Sequence, residues 1–215
     1  MWAASTIVIV LIGMLSPWLF KLKEKIMEIA KSVDIVSSDL ICRSQYGEGL
    51  VAMGKYFVEC FDKDGNLKWA DEAPNLVVNV GLQYMAGTSL DGATTRITAW
   101  YVGLITGPGS GTTFAAGDTL ASHAGWTEST AYSGTRPAAT FAAATTANPS
   151  VVTNSASKAS FSINATATRA GAFLCSVASG TSGTLFSAAD FTGGDRSVAN
   201  GDTLQVTYTF SLAAA

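Results

Sequence analysis

Between Thr203 and Leu212 apolar and polar residues alternate without a break. Leu204, Val206, Tyr208, Phe210 and Leu212 fall on one side, and Gln205, Thr207, Thr209 and Ser211 on the other. A period of two belongs to a β-strand, whose successive side chains point to opposite faces; the segment predicts a strand with one face in a core. Ser160–Thr168 repeats the pattern, with Phe161, Ile163, Ala165 and Ala167 alternating with Ser162, Asn164 and Thr166. Ile97–Ile105 differs: both alternating faces are apolar, which predicts a central strand covered on both sides. Ala172–Val177 and Thr184–Ala188 supply two more strands. Residues 138–156, mostly Ala, Thr, Ser and Asn, predict a long loop or an irregular edge.

Breaks in the pattern locate the turns. Lys55–Phe61 is apolar and β-prone, and Asp62-Lys63-Asp64-Gly65-Asn66 follows it before Leu67-Lys68-Trp69. Asp-Gly between two such runs is a hairpin signal, because glycine accepts the positive φ of the turn. Gly193-Gly194-Asp195 and Asn200-Gly201-Asp202 are further turns. Pro74-Asn75 ends the second run, and Asn75 is positioned to cap a short helix over Leu76–Ala86 that stops at Gly87. The β-branched Val77, Val78 and Val80 oppose that helix. Asp118–His123 predicts a helical turn capped by Asp118. Many short strands between Gly- and Asn-rich turns make the fold class mainly β: an antiparallel β-sandwich or jelly-roll-like domain with one short helix.

Residues 1–52 do not share this pattern. Ala3–Phe20 is an almost uninterrupted apolar run followed by Lys21, Lys23, Lys25 and Lys31. Two readings stay open. One is a membrane anchor, its positive flank holding the following domain in the cytoplasm. The other is an over-extended gene start: Gly47-Glu48-Gly49 requires purine-rich codons, and three residues separate it from Met53, the spacing of a ribosome-binding site before a start codon. The second reading predicts a protein beginning at Met53. The domain is drawn as 53–215, and membrane contact is expected only if 1–52 is translated.

Charge narrows the partners. The chain carries a net charge of −3, and only Lys55, Lys63, Lys68, Arg96, Arg136, Lys158, Arg169 and Arg196 are basic after Met53. They are scattered, so no basic cluster is available to neutralise phosphates and nucleic acid is not an expected partner. Small polar residues and sparse charge suit a surface that packs against copies of itself or a partner lattice. The three cysteines, Cys42, Cys60 and Cys175, are odd in number with no closely spaced pair, which is neither a disulfide framework nor a zinc pattern. Cys60 and Cys175 lie in apolar runs and read as small buried hydrophobes.

Candidate chemistry is thin. The single histidine, His123, has Asp118 and Ser122 nearby in sequence, but Gly-x-Ser-x-Gly is absent, and a lone loop histidine beside Trp126 reads as structural. Asp62–Asn66 has its glycine in the fourth place and lacks the Glu of a calcium loop. Residues 107–111 lack the Lys-Ser/Thr of a phosphate loop. Asn164-Ala165-Thr166 forms a glycosylation sequon inside an expected strand. Asp71/Glu72 and Asp190/Asp195 sit beside turns, where aspartate has backbone reasons to be. Trp100, Trp126 and Tyr132 are the aromatics that an exposed sugar-stacking role would use, against core packing as the plainer role. The expectation is a non-enzymatic protein with no catalytic, cofactor-binding or metal residues.

Several stretches together carry a resemblance. They are Lys68-Trp69 through Asn75-Leu76-Val77; Trp100-Tyr101-Val102-Gly103-Leu104; Ala121 through Glu128; Tyr132-Ser133 with Arg136-Pro137; and Asn200-Gly201-Asp202-Thr203-Leu204 leading to Tyr208. From about Met53 to the C-terminus the chain resembles uncharacterised proteins encoded among the virion genes of tailed bacteriophages. The resemblance implies a virion location and a structural role, with the major capsid protein or other virion proteins as partners, and leaves open whether the place is capsid decoration, head fibre or tail; the sparsely charged surface adds a homo-oligomeric state to the expectation. Capsid decoration or cementing of the assembled shell is the leading expectation. A tail-associated module binding a host-surface carbohydrate or protein is the alternative.

Overall fold

The computed structural model describes residues 49–107 and 112–214, of which Leu50–Ala214 form one contact unit. The two readings of residues 1–52 fall almost wholly outside these residues. Among the described residues no helix is long and apolar enough to cross a membrane.

Among the described residues the fold is an antiparallel β-sandwich with one short α-helix. One sheet contains β1 (Leu50–Phe61), β2 (Leu67–Pro74), β6 (Ser150–Thr153), β7 (Ala159–Ser162) and β11 (Thr203–Ala214). Strands β1 and β11 form its centre, in register from Leu50↔Ala214 to Phe61↔Thr203; β2 flanks β1, and β6 and β7 lie along β11. The other sheet runs in the order β3 (Leu76–Val77), β9 (Leu185–Asp190), β8 (Ala167–Cys175), β4 (Tyr101–Thr106), β5 (Glu128–Ser129), with β10 (Arg196–Val198) also paired to β8. We call them the long-strand sheet and the covered sheet.

The inner faces meet in one core. Tyr56, Val58, Cys60, Leu204, Val206, Tyr208 and Phe161 enter it from the long-strand sheet, and Val102, Leu104, Ala172, Leu174, Phe186 and Val198 from the covered sheet. Leu204, Val206 and Tyr208 are buried as the alternation required, whereas Phe210 is partly buried. A second cluster covers the outer face of the covered sheet, where Ile105, Phe173, Cys175 and Leu185 pack under Val78, Leu120 and Trp126. That layer explains why this stretch is apolar on both faces: each alternating set meets its own cover.

The hairpin forms as its residues dictate. Gly65 takes φ +84°. The Asp62 carboxylate accepts from the backbone N–H of Asn66 at 2.8 Å, from the Asn66 side-chain amide at 3.1 Å and from the Asp64 N–H at 2.9 Å, which lowers its pKa.

Several local expectations are corrected. The helix α1 spans Asn79–Ala86, because Leu76–Val77 pair with β9 first. Asn75 does not cap it: Val78 holds the N-cap position without a side-chain bond, and Asn75 turns inward, donating to the Tyr208 hydroxyl at 3.2 Å. Gly87 is the C-cap of α1, as expected, but it keeps right-handed helical dihedrals, and a π-helical turn, Gly87–Asp91, follows it to Gly92 at φ +63°. The covered strand begins at Tyr101 rather than Ile97. Asp118–His123 is irregular, with a bend at Leu120–Ala121 and no helical turn. Ser160–Thr168 is split by a bend at Ala165, so Asn164 of the sequon is exposed between strands and Ala165 is exposed. Residues 138–156 are mostly irregular, as expected, and their one strand, β6, lies at the edge of the long-strand sheet after a cis peptide bond between Asn148 and Pro149.

Candidate functional site

The two sheets are not the same length. The inner-face series of β11 continues past Tyr208 to Phe210, Leu212 and Ala214, which pair in turn with Gly54, Ala52 and Leu50 of β1. Phe210 also pairs with Val152 of β6. Beyond Phe210 burial falls away: Leu212 is intermediate and Leu50 is 71% exposed. The long-strand sheet therefore ends in an apolar ledge. Strand pairing preserves it even where apolar contacts thin out.

Where the ledge leaves the core, a cleft of about 630 Å³ opens, within the usual range for ligand sites. Its floor is Tyr208, Phe210, Val152, Leu174 and Phe186. Its walls are α1, through Tyr84 and Met85, and two irregular segments, 96–100 and 138–144. The rings meet edge to face: Tyr84–Trp100 and Trp100–Phe186 at centroid distances of 5.4 Å, and Phe186–Phe210 also at 5.4 Å. The Tyr84 hydroxyl accepts from the Ile97 N–H at 2.9 Å, tying helix to wall. Beneath the floor lies a polar knot. Tyr56 and Ser187 hydroxyls are 2.7 Å apart, and Ser187 donates to the Tyr208 hydroxyl at 3.3 Å. Burial pushes the Tyr208 phenol well up, only partly offset by its bonds to Ser187 and Asn75.

Among the described residues Arg96 is the only charged one lining the cleft. Among the described residues the other cations are engaged. Lys55, Lys63, Lys68, Lys158, Arg136 and Arg196 pair with carboxylates, and buried Arg169 donates to the carbonyls of Thr168 and Ala131. Arg96 is exposed and makes no ion pair among them.

The residues with candidate chemistry are put to structural use. His123 stacks on Trp126 at 3.7 Å, with its Nδ1 3.0 Å from the Trp126 carbonyl. Asp118 accepts instead from the Trp126 indole N–H at 3.0 Å, so His123 and Asp118 are not paired with each other. Trp126 and Tyr132 are buried and unavailable to a sugar; Trp100 is half-buried in the cleft. Asp71 and Glu72 diverge. Asp71 is buried against the Arg196 Nε at 2.8 Å and the Thr192 hydroxyl at 3.0 Å, while exposed Glu72 faces Lys55. Burial, and then the nearby Asp195, raise the Asp190 carboxyl. Cys60 and Cys175 are free and buried, and burial with Asp202 beside it pushes the Cys60 thiol up to about 12. A smaller hollow beside Glu128 and Arg136 is closed chemically, because Arg136 grips Glu128 with two bonds of 2.7 and 2.6 Å and donates to the carbonyls of Val177 and Gly180.

The cleft was not visible in the sequence, since its aromatics come from separate elements and each alone looks like core. Arg96, a lone cation between Thr95 and the apolar Ile97, was the available signal. No family model, curated protein or solved structure matches the chain.

Proposed function

We propose that this chain is a structural protein of a tailed-bacteriophage virion, decorating or cementing the capsid by binding the assembled shell. The observation that carries the reading is the ledge. Leu50, 71% exposed, sits at the end of the inner-face series, where pairing with Ala214 holds it rigid. Exposed apolar groups on a rigid element favour association, because little side-chain and backbone order has to be gained on docking. The resemblance to virion proteins and the low charge of the domain support the same reading. Partners are the major capsid protein or other virion proteins, with several copies of this chain per particle. A repeated shell makes modest contacts effective, since each subunit or oligomer that touches two sites gains effective concentration.

The test is to mix the full chain with shells lacking it and sediment them. Saturable co-sedimentation is expected, with shells that withstand higher temperature, because a ligand that binds only the intact state stabilises it. The cleft favours one alternative, a tail-associated module for a host-surface carbohydrate or protein. A chain that ignores shells and binds host cells or glycans would establish that alternative instead.

A further inference from the structure

We infer that the cleft receives an acidic, apolar segment of the polypeptide on which the domain docks. One large apolar side chain enters among Tyr84, Trp100, Phe141 and Phe210, and a carboxylate beside it pairs with Arg96. This rests on the shell-binding reading and adds the chemistry of the partner.

Three observations point to such an occupant. First, the lining brings together Trp100, Tyr84 and Arg96, the residue types that dominate binding energy at protein interfaces. Second, the charge is one-sided: among the described residues Arg96 has no partner and no carboxylate lines the cleft. Arg96 repels a cationic group, whereas a carboxylate gains an ion pair there without breaking an existing one. Third, the backbone groups of Thr98 and Ala99, on the wall next to Arg96, bond to no described residue, so they remain for a peptide main chain. The ring geometry argues against a sugar. Tyr84 and Trp100 meet at 76°, Trp100 and Phe186 at 71°, and Phe186 and Phe210 at 82°. Rings crossed in this way leave a crevice suited to a side chain, not the flat platform on which a pyranose stacks.

The experiment follows the Trp100 indole N–H by NMR in the full chain during titration with acetyl-Phe-Asp-amide, acetyl-Phe-Lys-amide and glucuronic acid. The aspartyl dipeptide is expected to shift that signal at lower concentration than the lysyl dipeptide, and Arg96→Gln to abolish the preference without changing the melting temperature. In the sedimentation assay, Arg96→Glu is expected to weaken shell binding roughly tenfold or more. Lys63→Glu, on the exposed hairpin turn, is expected to leave it unchanged. Equal response to both dipeptides, a response to glucuronic acid alone, or undiminished sedimentation of Arg96→Glu overturns the inference. A wild-type chain that selects the aspartyl dipeptide yet ignores shells supports the cleft chemistry and overturns the shell reading, so the two failures are distinguishable.

Discussion

The ring of Phe173 lies across Gly103 on the neighbouring strand: a Cβ at position 103 would stand 2.1 Å from the Phe173 Cζ. Both residues are buried, and Phe173 packs into the outer cluster beside Trp126 at a centroid distance of 5.1 Å. Gly103→Ala should therefore destabilise the domain by about 1–3 kcal/mol through overpacking. Adding Phe173→Leu should recover part of that loss, because the shorter side chain vacates the space. Chemical denaturation of the two single variants and the double variant measures the coupling; strictly additive effects would mean that the ring is not what excludes the methyl.

The Tyr56 and Ser187 hydroxyls, 2.7 Å apart, join the two sheets inside the core. Tyr56→Phe removes one partner and leaves Ser187 with only its longer contact to Tyr208. A loss of about 1–2 kcal/mol is expected, since a buried polar group deprived of its bond keeps its desolvation cost. A double-mutant cycle with Ser187→Ala should show a coupling of roughly 1 kcal/mol, and near-zero coupling would disprove a working bond.

What the sequence made legible follows from how local each signal is. The β11 alternation and the Asp62–Asn66 hairpin were readable because each depends on a few consecutive residues. Both-face apolarity at Val102–Ile105 correctly implied a second cover, but the cover itself, Leu120 and Trp126, lies in turns with no period to read. Asn75 misled for a physical reason: a side chain that suits a cap equally suits a buried bond, and only the tertiary position of Tyr208 decides between them. Gly54 shows the same dependence. A Cβ there would meet Asn75 Oδ1 at 2.1 Å, a contact that links positions far apart in sequence. The cleft was illegible because it combines α1, two irregular segments and four strands.

The turn at Asp202 predicts an acid-sensitive contribution to stability. Burial opposes its ionised form, but bonds from the Ala199 N–H and the Lys68 ammonium outweigh it and lower the carboxyl. A lowered folded-state pKa means that the stabilisation is fully present above the unfolded value, about 3.9, and is lost as pH falls through the lower folded value. Asp202→Asn should thus melt earlier than wild type by a constant margin between about pH 5 and 7, with the margin shrinking below about pH 4. Its size at neutral pH should be about 1–2 kcal/mol. A margin that persists unchanged in acid would show that the charge is not responsible.

On β11 the two faces should respond oppositely. Val206 is fully buried, so Val206→Asp places an unpaired charge in the core and should abolish cooperative melting. Gln205 lies on the other face, opposite Glu59, and Gln205→Lys should change stability by less than about 0.5 kcal/mol. A soluble, cooperatively melting Val206→Asp protein would contradict the assigned face.

The ledge separates folding from binding. Leu50 pairs with Ala214 and is 71% exposed, so Leu50→Asp leaves the backbone ladder intact and removes little buried area. Its melting temperature should match wild type within the shift of about 0.5 kcal/mol typical of surface substitutions. If the ledge is the docking face, the same variant carries a desolvated carboxylate into an apolar contact and should bind shells at least about tenfold more weakly. Leu67→Asp provides the control, because Leu67 is also exposed, at 56%, but begins β2 beside the hairpin turn, at the opposite end of β1. Equal loss in both variants would indicate a general effect of added charge. Loss confined to Leu50→Asp would locate the contact at the end of the sheet where β1 begins and β11 ends. Full binding by Leu50→Asp would remove the ledge as the docking surface, whatever the domain binds.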